Sequence, residues 1–346
     1  MKGIRELAEH LDISIGTISR ALNNKPDVSE ATRKRVLEAA IELGYAPNQS
    51  GRSLRQGTTN AVGFMLEAGT PGALGGDNFF SALMVGVQNV LRAHGLDLVL
   101  LPCTPEEDPH DFLQRIVARR FVDSMIISAT RVEDSRIELL KKSGLPFVTL
   151  GRSCSSTDHA WIDMDFEGVA KDAVARLAAK GHRRIALGIG RSDSNLVDIF
   201  LRSYLEALTA NNIEPDDSLI YRTEPSDTGG SAIGEAIVAA GAERPTAIIL
   251  VHELMAIGLY RSLEDAGLIP GKDIAVVGFR NGPQVRFLRP TLSCYSLSLP
   301  DLGAALAEGL LSEMFPDRQP GGKSTMHTIW PMTSHEGQSE GPSISI

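Results

Sequence analysis

The sequence predicts an α/β chain made of a small helical head, a polar linker and a two-lobed body built on parallel sheets. Three observations carry this. The first 47 residues repeat apolar side chains at helical spacing in three short runs. Beyond residue 60 the pattern changes to near-continuous apolar runs of strand length, separated by helical stretches. Charge divides in the same place: residues 1–57 hold nine Lys/Arg against seven Asp/Glu, a net of +2 in a chain of net charge −9. A slightly basic head therefore rides on a body near −11.

In the head, Ile4, Leu7, Ala8 and Leu11 mark a first helix. Ser14 can cap a second, whose inward positions are Ile15, Ile18, Ala21 and Leu22. Pro26-Asp27 breaks the chain, and Ser29 can cap a third helix with Val36, Leu37, Ala40, Ile41 and Leu43 as its apolar stripe. Gly44 ends it and Pro47 prevents its return, so the head is 1–47 and the linker 48–59.

The body spans 60–335. Its strand-like runs are AVGFML (61–66), LDLVLL (96–101), SMIIS (124–128), PFVTLG (146–151), IALGIG (185–190), AIILV (247–251) and IAVVGF (274–279). Helical patterns at 79–94, 133–143, 166–180, 228–240 and 253–266 separate them. Runs that do not alternate need cover on both faces, which crossover helices supply. Seven such units exceed a usual single sheet, so two open sheets facing each other across a cleft are expected. The polar stretch at 152–162 marks one passage between lobes and R-P-T-L (289–292) a return. Lobe 1 is then about 60–160 plus 292–320, lobe 2 about 161–291 plus 321–335, and 336–346 has the composition of a flexible tail.

Composition closes off several classes. The chain has 42% hydrophobic and 22% charged residues, no apolar run of membrane-spanning length and a charged N-terminus, which reads as a cytoplasmic globular protein. Cys103, Cys154 and Cys294 are scattered and odd in number, and the eight histidines lack ligand spacing, so neither a disulfide framework nor a metal site is expected. L-G-I-G-R-S-D-S offers G-x-G after a strand but has Asp193 where a third glycine should stand, so no dinucleotide cofactor is expected. Phosphate-loop and nucleophile-elbow patterns are missing, and the chain is read as a non-enzyme without cofactors.

Two short helices joined by a tight turn, the second opening S-I-G-T-I-S-R-A-L-N-N, suit a helix-turn-helix that reads DNA. Ser14, Thr17, Ser19, Arg20 and Asn23 supply polar groups for phosphates or base edges, and Arg20 has the reach for a bidentate contact to guanine. On these residues alone an ordinary helical bundle stays open.

These residues resemble the lactose/galactose repressor (LacI/GalR) family of bacterial transcription regulators. The resemblance runs through I-R-E-L-A-E-H-L-D-I-S-I-G-T-I-S-R-A-L-N, V-S-E-A-T-R-K-R-V-L-E-A-A-I-E-L-G-Y-A-P-N and R-S-L-R-Q-G-T-T-N-A-V-G. It continues more loosely in G-H-R-R-I-A-L, R-P-T-A-I-I-L and I-A-V-V-G-F. It implies a homodimer on a near-palindromic operator, with Ile15 and Gly16 at the main specificity positions beside Arg20. It also implies that N-Q-S-G-R-S-L-R-Q-G forms a hinge helix on DNA, in which Leu54 wedges into the minor groove while Arg52 and Arg55 take up phosphate charge. The competing reading is a plain linker.

For the body, the resemblance implies a periplasmic-binding-protein-like receptor that senses a small molecule, a sugar by preference, between its lobes. Candidate contacts follow the strand ends: Phe79 and Phe80, one of which is expected to stack on a sugar, then Arg152, Asn195, Asp198, Glu224, His252 and Arg280. Phe79, Phe80 and Trp161 hint at room for a glucoside or disaccharide. The chain also departs from the family, which usually has arginine where Phe200 stands and aspartate where Arg280 stands. Either Arg280 supplies the cation and Asp198 or Glu224 the acid for a neutral sugar, or Arg280 faces a sugar acid or sugar phosphate, or it bridges to a cleft carboxylate without touching ligand. A sugar receptor with no DNA role is a remote further reading.

The hinge reading is tested by Leu54→Ala, which is expected to weaken operator binding by about tenfold or more while leaving effector affinity unchanged, as read by electrophoretic mobility shift and calorimetry. Equal operator affinity would return the segment to a tether.

Overall fold

The computed structural model describes residues 3–22, 25–45, 58–68, 79–155, 158–318 and 325–342. The chain divides into two compact units, 1–59 and 60–346, each described by itself.

The head consists of α1 (Ile4–Leu11), α2 (Ile15–Leu22) and α3 (Glu30–Glu42). Asp12 turns left-handed after α1 with φ 53°, and its N–H bonds back to Ala8 and Glu9. Ser14 accepts from Thr17 N at 3.1 Å and Ser29 from Thr32 N at 3.2 Å, so both following helices start on capping serines. Leu7, Ala8, Ile18, Ala21, Val28, Val36, Ala39 and Ala40 form the core. The expected α3 stripe is displaced: Leu37 and Ile41 are 46% and 82% exposed, while Ala39 is buried. Positions 36, 39, 40 and 43 share one face, and 37 and 41 lie on its flank. Ile15, expected inward, is 44% exposed.

The body contains two six-stranded sheets. Lobe 1 carries β1 (Ala61–Glu67), α4 (Phe79–Ala93), β2 (Asp97–Cys103), α5 (Pro109–Arg119), β3 (Ser124–Ile127), α6 (Ser135–Ser143), β4 (Phe147–Leu150) and β5 (Ala160–Met164). Lobe 2 carries α7 (Phe166–Ala179), β6 (Ile185–Gly190), α8 (Asn195–Ala210), β7 (Ile220–Thr223), α9 (Asp227–Ala239), β8 (Ala247–Leu250), α10 (Glu253–Asp265), β9 (Ala275–Arg280) and β10 (Ser293–Ser296). The chain then returns to lobe 1 as α11 (Leu299–Met314) and β11 (His327–Trp330), and to lobe 2 as β12 (Thr333–His335). Strand order is β11-β5-β4-β3-β1-β2 in lobe 1 and β12-β10-β9-β8-β6-β7 in lobe 2, parallel throughout except for β12 on β10.

Both sheets are covered on both faces, as their apolar runs require. In lobe 1, α4 and α11 cover one face and α5 and α6 the other. In lobe 2, α7 and α8 oppose α9 and α10. Helices α4 and α11 cross at backbone distance, because a Cβ at Gly86 would lie 1.9 Å from Pro300 O and one at Gly303 2.1 Å from Leu83 O.

The lobe boundaries differ from those read in the sequence. β5 belongs to lobe 1 and the first crossing follows Met164, where Asp165 caps α7 through Gly168 N at 2.8 Å. β10 pairs with β9, so the return falls after Ser296 rather than at 289–292, and Ser298 caps α11. β11 extends the lobe 1 sheet beside β5, although 321–335 was expected in lobe 2. The expected flexible tail is packed as far as Gly341, whose carbonyl accepts from Lys180 Nζ at 3.1 Å. Ser339 is fully buried and donates from Oγ to Val276 O at 2.5 Å, and Glu340 lies 2.9 Å from Arg176 and 3.0 Å from Lys180. Of the three free cysteines, Cys103 and Cys294 are buried and Cys154 is exposed.

His159 sits in lobe 1, stacked on Phe147 at 5.3 Å and bonded through Nε2 to Thr149 Oγ1 at 3.2 Å. Burial holds its pKa down to about 4, against an ordinary value of 6.5. Because the folded ring refuses a proton that the unfolded chain accepts, its contribution is intact above pH 6.5 and lost as pH falls from 6.5 towards 4. His159→Phe is expected to remove about 1–3 kcal/mol of that acid destabilisation in urea unfolding at a series of pH values, since one pKa unit is worth about 1.4 kcal/mol. An unchanged slope would show that the ring titrates freely.

Candidate functional site

In the head, α2 presents its exposed face outside the core formed by Ile18 and Ala21. Ile15 and Gly16 open that face, and Arg20 lies across Gly16, whose built Cβ would stand 3.5 Å from Arg20 Nη1. A Cβ there would make only ordinary van der Waals contact with the guanidinium. Arg20 Nε is 3.2 Å from Asp27 Oδ2, and both side chains are more than half exposed. Such an exposed pair is worth little, so exchange for a base edge costs little. Ser14 is committed to the cap and to Thr17 Oγ1 at 2.9 Å, which makes it a helix former as much as a DNA contact. Asn23, Arg52, Leu54 and Arg55 lie outside the described residues.

In the body, the carboxyl ends of the two sheets enclose a cavity of about 490 Å³. That size lies in the range of small-molecule sites. Phe79, Phe80, Glu224, His252 and Arg280 line it, as the strand-end reading anticipated. Arg280 is 5% exposed and its guanidinium stands 5.2 Å from the centre of the Phe79 ring, a contact between lobes. Phe80 packs edge-on against Phe64 at 6.0 Å. Burial pushes His252 down to about 4, so its imidazole is uncharged at neutral pH.

Three residues expected in the cleft do other work. Arg152 donates Nε to Asp163 at 2.9 Å and Nη2 to Glu167 at 2.8 Å, which draws its guanidinium over Trp161 and off the cavity wall. Trp161 itself stacks on His327 at 5.1 Å, and neither Arg152 nor Trp161 is among the lining residues. Asn195 donates Nδ2 to Arg152 O at 2.7 Å, joining the lobes, and Asp198 forms an exposed pair with Arg202 at 3.5 Å. One helical turn past Asn195, Asp198 faces solvent.

The acid partner of Arg280 is Glu253, through a short Nη2–Oε1 contact; it is neither Asp198 nor Glu224. Glu253 is the first residue of α10, directly after His252, and one further step along the strand-end reading would have included it. Glu67 at the end of β1, with Arg131 and Asp193, was missed for the same reason. Asp163 was hidden inside an apolar strand; burial raises its pKa to about 6 although Arg152 pulls the other way. Phe200, where the family's arginine would stand, is fully buried and meets Phe279 edge-on at 6.2 Å, so that position has joined the lobe 2 core.

Comparison with known proteins agrees with this architecture. The model described as bacterial regulatory proteins, lacI family, matches residues 3–48, and the periplasmic binding protein-like domain matches 174–339. The transcriptional regulator AglR of Rhizobium meliloti (strain 1021) is 33% identical over 275 residues, covering 79% of this chain and 76% of its own. A LacI family regulator from Enterococcus faecium, solved with bound ribose, is 26% identical with a TM-score of 0.68 and covers 82% of this chain and 99% of its own. The Lac repressor dimer bound to operator and the anti-inducer ONPF shares the fold with a TM-score of 0.84 at 22% identity, covering 98% of this chain and 99% of its own. With a matching head, a two-lobed body and a relative at this level of identity over most of its length, the chain belongs to the LacI/GalR family of bacterial transcriptional regulators.

Proposed function

We propose that the protein is a homodimeric transcriptional repressor that binds a near-palindromic operator and is controlled by a neutral sugar, of glucoside or disaccharide size, held between its lobes. It acts as a regulator without catalysis or cofactor. The family assignment supports the DNA role, and the ribose held by the Enterococcus relative supports a sugar effector.

The observation that supports a neutral ligand is the engagement of Arg280 by Glu253 in a cavity rich in acid. Glu67, Glu107, Asp163, Asp193, Glu224 and Glu253 line it against Arg131, Arg191 and Arg280. An anionic effector would have to displace Glu253 from Arg280 and still face a surplus of carboxylates. A neutral sugar needs no such exchange, since its hydroxyls can donate to Glu253 and accept from Arg280 while the pair stays intact. The Phe79 ring beside Arg280 offers a face for the apolar side of a pyranose.

Calorimetry of the full chain with cellobiose and with gluconate tests this. Because removing one partner of a buried pair strands the other charge, the informative variant is the double Glu253→Gln, Arg280→Gln. Neutral-sugar binding is expected to fall by about 10- to 100-fold in the double variant, with its thermal midpoint within a few degrees of the parent. Tighter binding of the sugar acid than of the neutral sugar by the parent chain would contradict the reading.

A further inference from the structure

The lobes also meet along one wall of the cavity, at a seam where Ala129, Thr130, Arg131, Asp193 and Ser194 line the cavity and the strips that carry them contact one another across it. It lies among strands set away from the crossings: β3 is fourth in its sheet from β11, and β6 fifth from β12. Residues 129–132, after β3, run against 193–195, after β6. Arg131 and Ser194 form an isolated antiparallel bridge. Val132 N donates to Asp193 O at 3.3 Å and Asn195 N to Thr130 O at 2.9 Å. The Asn195 side chain adds its bond to Arg152 O at 2.7 Å, and Arg131 Nε lies 3.5 Å from Asp193 Oδ2. Thr130 and Asn195 are each only 4% exposed.

The lobe 1 side of this seam is built under strain. Ala129 has φ +53°, a conformation that a residue with a Cβ holds only when its surroundings impose it. Arg136, 1% exposed, imposes it by donating Nη2 to Ala129 O at 3.1 Å. The same guanidinium grips Asp134 through Nε at 2.9 Å, and Asp134 in turn accepts from Arg131 N at 3.1 Å. Burial works to raise the Asp134 pKa, but the bonds and charge of Arg136 hold it below its ordinary value. Arg136 therefore fixes both ends of the strip. Its Nη1 also bonds Glu67, which accepts from Arg131 Nη2 at 2.8 Å and lines the effector cavity.

We infer that residues 129–132 and 193–195 form a latch that holds the lobes together without effector, with Arg136 and Asn195 as its positioning residues and Glu67 as the cavity carboxylate that shares its arginines. Glu67 shares Arg131 with Asp193 across the seam, so a cavity occupant that takes up Glu67 frees Arg131. This last step rests on the cavity being the effector site, whereas the latch does not.

Antiparallel bridge partners place their Cα atoms about 4.5–5.5 Å apart, inside the span of a disulfide. Full-length protein carrying Arg131→Cys and Ser194→Cys in a Cys154→Ser background is therefore expected to form an intramolecular disulfide under mild oxidation with no sugar present. A chain that stays reduced would overturn the latch. Hydrogen exchange covers the otherwise native chain: Asn195→Ala is expected to speed exchange of 128–134 and 191–196 by about tenfold or more, with β1 and β6 unchanged. Equal exchange at the seam would also overturn it. Glu67→Gln should speed the same segments, and no change there would remove Glu67 from the latch. A chain that forms the disulfide yet binds no sugar keeps the latch and loses only the effector reading.

Discussion

Two sheets that share no strand are joined here by three short chain crossings, and the rest of the body depends on that constraint. The crossings follow β5, β10 and β11, all at or next to one edge of their sheets. They hold the carboxyl ends of both sheets face to face while leaving relative rotation of the lobes as the soft degree of freedom. Loops at strand ends are the part of a parallel sheet free to vary, so the cavity and the seam are both written there.

The chemistry of the cavity follows from what this geometry buries. Carboxylates at strand ends enter a partly dry space, and each must find a cation or lose its charge. Glu253 has Arg280, Glu67 shares two arginines, and Asp163 has Arg152 yet is still pushed up to about 6. A ligand rich in hydroxyls fits such a site because it can bond to both members of a pair without separating them.

The head and the strand runs of the body were legible because each rests on local signals. Capping Ser14 and Ser29, the stripe of Leu7, Ala8 and Ile18, and the apolar runs of β1, β6, β8 and β9 are all periodic or punctuated in sequence. The lobe boundaries were less so, because β5, β10 and β11 are short and owe their place to distant neighbours: His327 pairs with Trp161, and Tyr295 with Arg280. In the cleft, Arg280 and Phe79 could be found at strand ends, but Arg152 could not be excluded. Its withdrawal depends on Asp163 and Glu167, and proximity to a strand end does not reveal which cation a buried acid has already claimed. The tail misled through composition, since Ser339 and Glu340 are polar residues held by specific buried partners.

The proposed repressor carries two linked sites, a DNA-reading head and a sugar cavity in the body whose lobe geometry reports to it. Linkage requires the effect to be mutual, so the most direct measurement is the calorimetric affinity of the full chain for a neutral sugar, alone and saturated with a palindromic duplex that the chain itself has selected. The sugar dissociation constant is expected to shift by about 5- to 150-fold on DNA, with the same factor recovered when sugar is held saturating and DNA is titrated. Identical sugar affinity with and without the duplex would contradict the account, because a cavity that does not feel the operator cannot control it.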